Sequence, residues 1–190
     1  MPYEPPPALA SLSLAEIAEL VAARKVPPVE RWAPQRESGS EMRIAADGTW
    51  FHQGSPIGRP AMVRAFSALL SRDAGGQHWL MSPFEKLRIE VADAAFVAID
   101  LGAERDELGR PVLAFRLNTD EFVIAGPNHP IRAAGDPDTP ALYVAVRRGC
   151  EARLNRSTYA QLVEHALSTT GNGNLSVESC GARFALDPRQ

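Results

Sequence analysis

The chain has 190 residues, 20 basic against 23 acidic side chains and a formal net charge of -3; 45% of residues are hydrophobic and 23% charged. These values fit one ordinary globular domain or two small ones, long enough to bury a core without a disulfide or metal staple. They exclude a broad electrostatic footprint for a nucleic-acid backbone, and four histidines with two cysteines are too few for a metal-rich module.

The N-terminal stretch MPYEPPPALASLSL has neither a basic n-region nor a long apolar core, so no secretory signal is expected. No stretch approaches the ~20 apolar residues of a membrane span. The expected setting is therefore cytoplasmic, with Cys150 and Cys180 as buried reduced thiols. Residues 1–29 read as an N-terminal segment with one short helix. Its signal is a capping box at Ser13–Glu16, followed by Leu14, Ile17, Leu20 and Val21 at helical spacing up to about Arg24. Pro27-Pro28 ends it, and Val29 to Glu41 reads as irregular.

Met42–Ala45 reads as a strand, Asp47-Gly48 as a tight hairpin turn and Trp50–His52 as the return strand. Pro60 suits a first helical position. Met62, Val63, Phe66, Leu69 and Leu70 then form one apolar helix face ending near Ser71. After a turn at Asp73–Gly76, three strands are expected at His78–Met81, Leu87–Val91 and Phe96–Leu101, joined by short links that favour antiparallel pairing. The charged run Glu104–Arg110 reads as a solvated hairpin tip. Strands follow at Val112–Leu117 and Glu121–Ile124, then a loop from Pro127 to Pro140, and strands at Leu142–Val146 and Glu151–Leu154. A helix at Ser157–Leu167, a turn at Gly171–Gly173 and a hairpin of Leu175–Ser179 with Arg183–Leu186 complete the chain. The order strand, helix, strand, strand occurs at Trp50–Val91 and again at Glu151–Leu186, which predicts a structural repeat. The fold class is thus α+β, with mainly antiparallel sheets in two halves, 30–104 and 105–190. The boundary is placed at the charge run.

Recognised catalytic and cofactor motifs are absent. Gly171-Asn172-Gly173-Asn174 lacks the third glycine of a dinucleotide loop and follows a helix. There is no GxxxxGK[ST], GxSxG or HExxH, so no cofactor and no metal are expected. His52, His78, His129 and His165 are scattered singly, which suits hydrogen-bonded structural roles. The sequons Asn155-Arg156-Ser157 and Asn174-Leu175-Ser176 read as chance matches. Trp50 and Trp79, on strands expected to be adjacent, suit core packing better than a base-stacking platform.

A few polar residues stand in less ordinary positions. Glu85 and Lys86 start an apolar strand, where neighbours point to opposite faces and one of the two can be drawn inward. Arg59 precedes a helix N-terminus that can receive an anion. Asn118, Thr119 and His129 lie in loops of the second half, where binding residues concentrate. The bland readings are a surface ion pair, a surface arginine and turn chemistry. Arg147-Arg148 and Arg153 with Arg156 form the one local basic cluster. It reads as a charge-guarded strand edge, or as a seat for an acidic partner or phosphate.

Several of these segments also read together. Asp47-Gly48-Thr49-Trp50-Phe51-His52, Gly54-Ser55-Pro56-Ile57-Gly58-Arg59, Ser82-Pro83-Phe84-Glu85-Lys86, Ile89-Glu90-Val91-Ala92-Asp93, Asn118-Thr119, His129-Pro130 and Tyr143-Val144-Ala145-Val146-Arg147 resemble a bacterial family known as the domain of unknown function 1285. The resemblance spans roughly residues 27–187. Phe84 stands where the pattern has valine, and Val177-Glu178-Ser179-Cys180-Gly181 where it has Val-Trp-Ser-Gly-Gly. The resemblance implies an α+β fold with repeated strand–helix–strand motifs and a signalling or regulatory role. It supplies no catalytic residues.

Two functions follow as expectations. The first is a non-catalytic regulatory module that binds a small molecule or a protein, with Arg59, Glu85, Lys86, Asn118, Thr119 and His129 around a cleft between the halves. Nucleic acid and membrane are not expected partners. The second is an enzyme of unfamiliar type, with Glu85 as acid or base assisted by Lys86 or His129.

Overall fold

The computed structural model describes Ser13, Glu16, Ile17, Glu19 and residues 27–169 and 175–189. The expected helix from Ser13 to about Arg24 lies largely outside them, as do Gly171–Gly173 and Asn174. The Ser13–Glu16 capping contacts are nevertheless formed: the Ser13 amide donates to Glu16 Oε2 (2.8 Å), and the Glu16 amide donates back to Ser13 Oγ (3.3 Å). Among the described residues, the element complete ahead of the first strand is a 3-10 turn, Val29–Arg31.

The first half is one six-stranded sheet. Its strands are β1 (Arg36–Ile44), β2 (Trp50–His52), β3 (Ser55–Pro56), β4 (Leu70–Arg72), β5 (His78–Met81) and β6 (Glu85–Val91), ordered β3-β2-β1-β6-β5-β4. Helix α1 (Pro60–Ser67) connects β3 to β4. The second half repeats this plan with β7 (Phe96–Arg105), β8 (Pro111–Leu117), β9 (Phe122–Ile124), β10 (Ile131–Ala134), β11 (Ala141–Arg147) and β12 (Cys150–Leu154), ordered β10-β11-β12-β7-β8-β9. In each half the first and last strands meet at the sheet centre as the single parallel pair, β1 with β6 and β12 with β7, and all other pairs are antiparallel. Helix α2 (Arg156–Thr169) and the hairpin β13 (Ser176–Ser179) with β14 (Ala182–Ala185) follow. The architecture is therefore α+β and mainly antiparallel.

The repeat is real but offset from the one read in the sequence. β1–β6 matches β7–β12, and only the first copy inserts a helix between its third and fourth strands. Glu151–Leu186 is not a copy of Trp50–Val91, because β12 belongs to the six-stranded sheet whereas β13 and β14 form a sheet of their own. The short link Ala92–Ala95 carries the chain from one sheet to the other and is not a hairpin. The charged run at Glu104–Arg110 is the β7–β8 tip, inside the second sheet. Two strands are hidden in the sequence. Arg36–Glu41 belongs to β1, although its residues are polar, because it pairs in parallel with β6. Ile131–Ala134 pairs with β11 inside the stretch expected as a loop.

Both sheets feed one core, which includes Ile44, Trp50, Leu70 and Ile89 from the first and Phe96, Phe115, Leu142 and Val144 from the second. Trp50 stacks on Phe66 of α1 at 6.3 Å. Trp79 lies on β5, on the opposite face of the sheet from Trp50 and not on a neighbouring strand. Lys86 covers its ring at 4.4 Å and its Nε1 donates to Asp73 Oδ2 (2.9 Å). Cys150 is buried as expected, whereas Cys180 is exposed in the β13–β14 turn. Both thiols are free. Among the described residues, no helix is long and apolar enough to cross a membrane.

The β11–β12 turn locks the halves together. Arg148 and Gly149 both adopt positive φ, and the tip enters the first half. The Arg148 guanidinium donates to Ala68 O (2.8 Å), Pro27 O (2.6 Å) and Glu30 Oε1 (2.5 Å). The Arg72 amide donates to Arg148 O (2.8 Å). Arg147 donates to Ser67 O (2.8 Å) and forms a buried ion pair with Glu121. Together the two arginines occupy carbonyls at the C-terminal end of α1, where a helix leaves acceptors unpaired and favours positive charge.

Candidate functional site

A groove of about 730 Å³ lies where the halves meet. The β1–β2 turn contributes Asp47 from the first half. Val97 and Ile99 come from β7, Leu142 from β11, Leu154 from β12 and Tyr159 from α2. The apolar floor is Val97 and Ile99: Val97 is paired with Arg153 on the sheet face opposite Phe96 and Ala98 and is itself largely covered, and Ile99 stands at the register break between Ala98 and Asp100. Ile99 is 37% exposed there.

The polar wall is contiguous in sequence: Arg153, Asn155 and Arg156. Asn155 caps α2, its Oδ1 accepting from the Thr158 amide (2.8 Å), which gives the sequon asparagine a structural job. Arg153 pairs with Asp93 in the link between the halves, and that contact holds its guanidinium above the usual range. Tyr143 Oη donates to the other Asp93 oxygen (2.8 Å), and burial, helped by Asp93, raises the phenol as well. Asp47 is turned back on its own hairpin, where the Thr49 amide donates to it (2.9 Å) and lowers its carboxyl. Asp138 sits on the exposed β10–β11 loop at the rim. Arg156 is exposed and has no ion pair or side-chain hydrogen bond among the described residues.

The six residues singled out by sequence do not gather in one place. Asn118 and Thr119 share a second, smaller cleft of about 260 Å³ with Gly58 and Pro60, the neighbours of Arg59. Asn118 is a fastener there: its Oδ1 accepts from the Val97 amide (3.0 Å) and its Nδ2 reaches Gly48 O (3.4 Å) across the halves. Thr119 is buried and donates to Glu121 Oε1 (2.8 Å), so it supports the Arg147–Glu121 pair. Arg59 is exposed at the N-cap of α1 and makes no side-chain capping bond. Glu85 shares the parity of Leu87 and Ile89 but sits half-buried at the start of β6, in a turn tied by Ser82. Lys86 points to the other face, paired with Glu37 over Trp79. His129 belongs to the second sheet, its Nδ1 at 3.0 Å from Ala145 O. Neither concavity is lined by Glu85, Lys86 or His129.

The groove residues were legible only as fragments. Arg153 and Arg156 stand out in sequence as a basic cluster, but Arg147 and Arg148 in the same cluster turn inward. Burial pushes the Arg147 guanidinium down to about 10, which still leaves it charged at neutral pH.

Two family models divide the chain as the sheets do. The N-terminal domain of the domain of unknown function DUF1285 matches residues 27–94. The C-terminal domain of the same protein family of unknown function matches residues 95–186. The chain belongs to the DUF1285 family. The boundary between the two DUF1285 models falls in the link Ala92–Ala95, where the chain changes sheets. A solved DUF1285 protein from Silicibacter pomeroyi DSS-3 is 39% identical, covers 92% of this chain and 94% of its own, and superposes with a TM-score of 0.77. A second DUF1285 protein, from Shewanella baltica OS155, is 22% identical over 65% of this chain and 90% of its own, with a TM-score of 0.51; that likeness concerns the fold. No curated protein matches.

Proposed function

We propose that this DUF1285 protein is a non-catalytic binding module with a regulatory role, and that the groove between its halves is the seat of its ligand. The carrying observation is the groove itself: a 730 Å³ hollow with an apolar floor and a few convergent polar groups is the ordinary form of a small-molecule site. The expected acid–base groups have structural occupations instead. Lys86 holds Glu37, His129 meets a backbone carbonyl, and Glu121, the buried carboxylate, is matched by Arg147 and Thr119. This arrangement favours binding over an acid–base reaction centred on Glu85. The proposed setting is cytoplasmic, in keeping with two free thiols.

The test is thermal unfolding of the full chain against a panel of nucleotides, organic acids and amines, repeated with Ile99→Asp. A ligand present at about 100 times its dissociation constant adds ~2.7 kcal/mol to stability. At roughly 2–4 °C per kcal/mol for a chain of this size, the midpoint rises by about 5–11 °C. The reading requires a shift that Ile99→Asp removes. A flat panel, or a shift that the substitution leaves intact, overturns it.

A further inference from the structure

Resting on the groove reading, we infer that the ligand is an amphipathic small-molecule anion, an apolar body carrying one carboxylate or phosphate group. The charges along the groove are unequal in availability. Asp47 is folded onto the Thr49 amide, and Arg153 is held by Asp93. Asp138 lines the groove from the exposed β10–β11 loop, an acidic group set beside the basic wall. Arg156 alone combines a place in the groove wall with a guanidinium that no described residue engages. It follows Arg153, the register partner of Val97, by three positions, so the available positive charge borders the apolar floor formed by Val97 and Ile99. An apolar body laid on that floor brings an attached anion to Arg156, where a charge-assisted fork of hydrogen bonds is available. A cationic group in the same position meets Arg156 and Arg153 and is repelled.

A matched series of probes tests the inference: phenylbutyrate, phenylbutanol and phenylbutylamine, titrated calorimetrically into the full chain. The carboxylate is expected to bind about tenfold or more tighter than the alcohol, and the amine most weakly, because a charge-assisted bond exceeds a neutral one by roughly that factor. Arg156→Gln, at an exposed position, is expected to erase the preference for phenylbutyrate while leaving phenylbutanol unchanged. Equal affinity for the three probes in the wild-type protein, or a preference that persists in Arg156→Gln, overturns the anion while the groove stands. Failure of all three to bind, or binding that Ile99→Asp does not weaken, overturns the groove itself.

Discussion

The β11–β12 turn offers the sharpest quantitative test of how the halves are joined. Gly149 has φ +73, and a Cβ built there lies 2.8 Å from Arg72 O, closer than side-chain carbons approach backbone oxygen. Gly149→Ala therefore faces two separate penalties. The left-handed backbone costs a non-glycine residue about 1–2 kcal/mol. The clash forces the tip away from β4, loosening the Arg72–Arg148 backbone bond, worth about 1 kcal/mol, and the Arg148 contact with Ala68 O, worth about 1.5–3 kcal/mol for a charged donor. The sum is about 4–6 kcal/mol, a melting-point loss on the order of 10–20 °C in a chain of this size. Gly109→Ala is the control: φ is +75 there, but nothing lies within 4 Å of the added carbon, so only the backbone penalty of about 1–2 kcal/mol applies. Differential scanning calorimetry of both variants decides. Equal losses would mean that the turn does not clamp the halves, and the account of the Arg148 contacts would fall with it.

Further consequences can be checked on the same protein. Arg147→Met takes the arginine away from the buried Glu121 carboxylate and is expected to lose about 3–5 kcal/mol in urea unfolding, much of it recovered in the double variant Arg147→Met, Glu121→Leu; additive losses would refute the pairing. His78 and His165 are both held below the usual histidine range of 6.5 by burial, with Arg72 and Arg105 respectively adding to the effect. A base whose folded pKa is depressed gives stability that is present above 6.5 and lost as pH falls toward the folded value, so urea midpoints should drop on acidification below 6.5. His78→Gln should flatten that slope, and an unchanged slope would count against the assignment. Cys150 is 1% exposed and burial pushes its thiol up to about 11, whereas Cys180 is exposed. One thiol should react with a disulfide reagent in the native protein and a second only after unfolding.

The sequence carried the local plan well and the long-range plan poorly, for identifiable reasons. Asp47-Gly48 and the apolar runs of β5, β8 and β11 announce hairpins and strands, because turn chemistry and alternation act within a few residues. The polar start of β1 shows no such alternation; its strand state comes from pairing with β6, whose residues lie far along the chain. Ile131–Ala134 was masked by flanking prolines and aspartates. The site suffered in the same way. Asn118 and Thr119 look like exposed loop residues, yet each spends its side chain on a partner that the chain brings close only by folding. Val97 and Ile99 look like ordinary strand residues, and nothing local says that they line a hollow. Arg147 and Arg156 are the same residue type in one local cluster; one is sealed against Glu121 and the other meets no partner among the described residues, and only the tertiary arrangement separates them.

The parallel pair at the centre of each sheet has a consequence for how such a chain can be extended. Because β1 lies beside β6 and β7 beside β12, each repeat enters and leaves through its middle, with its flanks built by hairpins that fold outward and return. Its entry and exit strands therefore lie side by side, with the exit at Val91 beside Ile44 at the far end of the pair from the entry at Arg36, and the link Ala92–Ala95 is enough to start the next copy. A unit of that kind can be duplicated in tandem without rerouting any strand inside it. It can also acquire an insertion in the connection from its third to its fourth strand, which joins the two edge strands of the sheet and carries α1 in one copy and a short loop in the other, while the central pairing stays untouched.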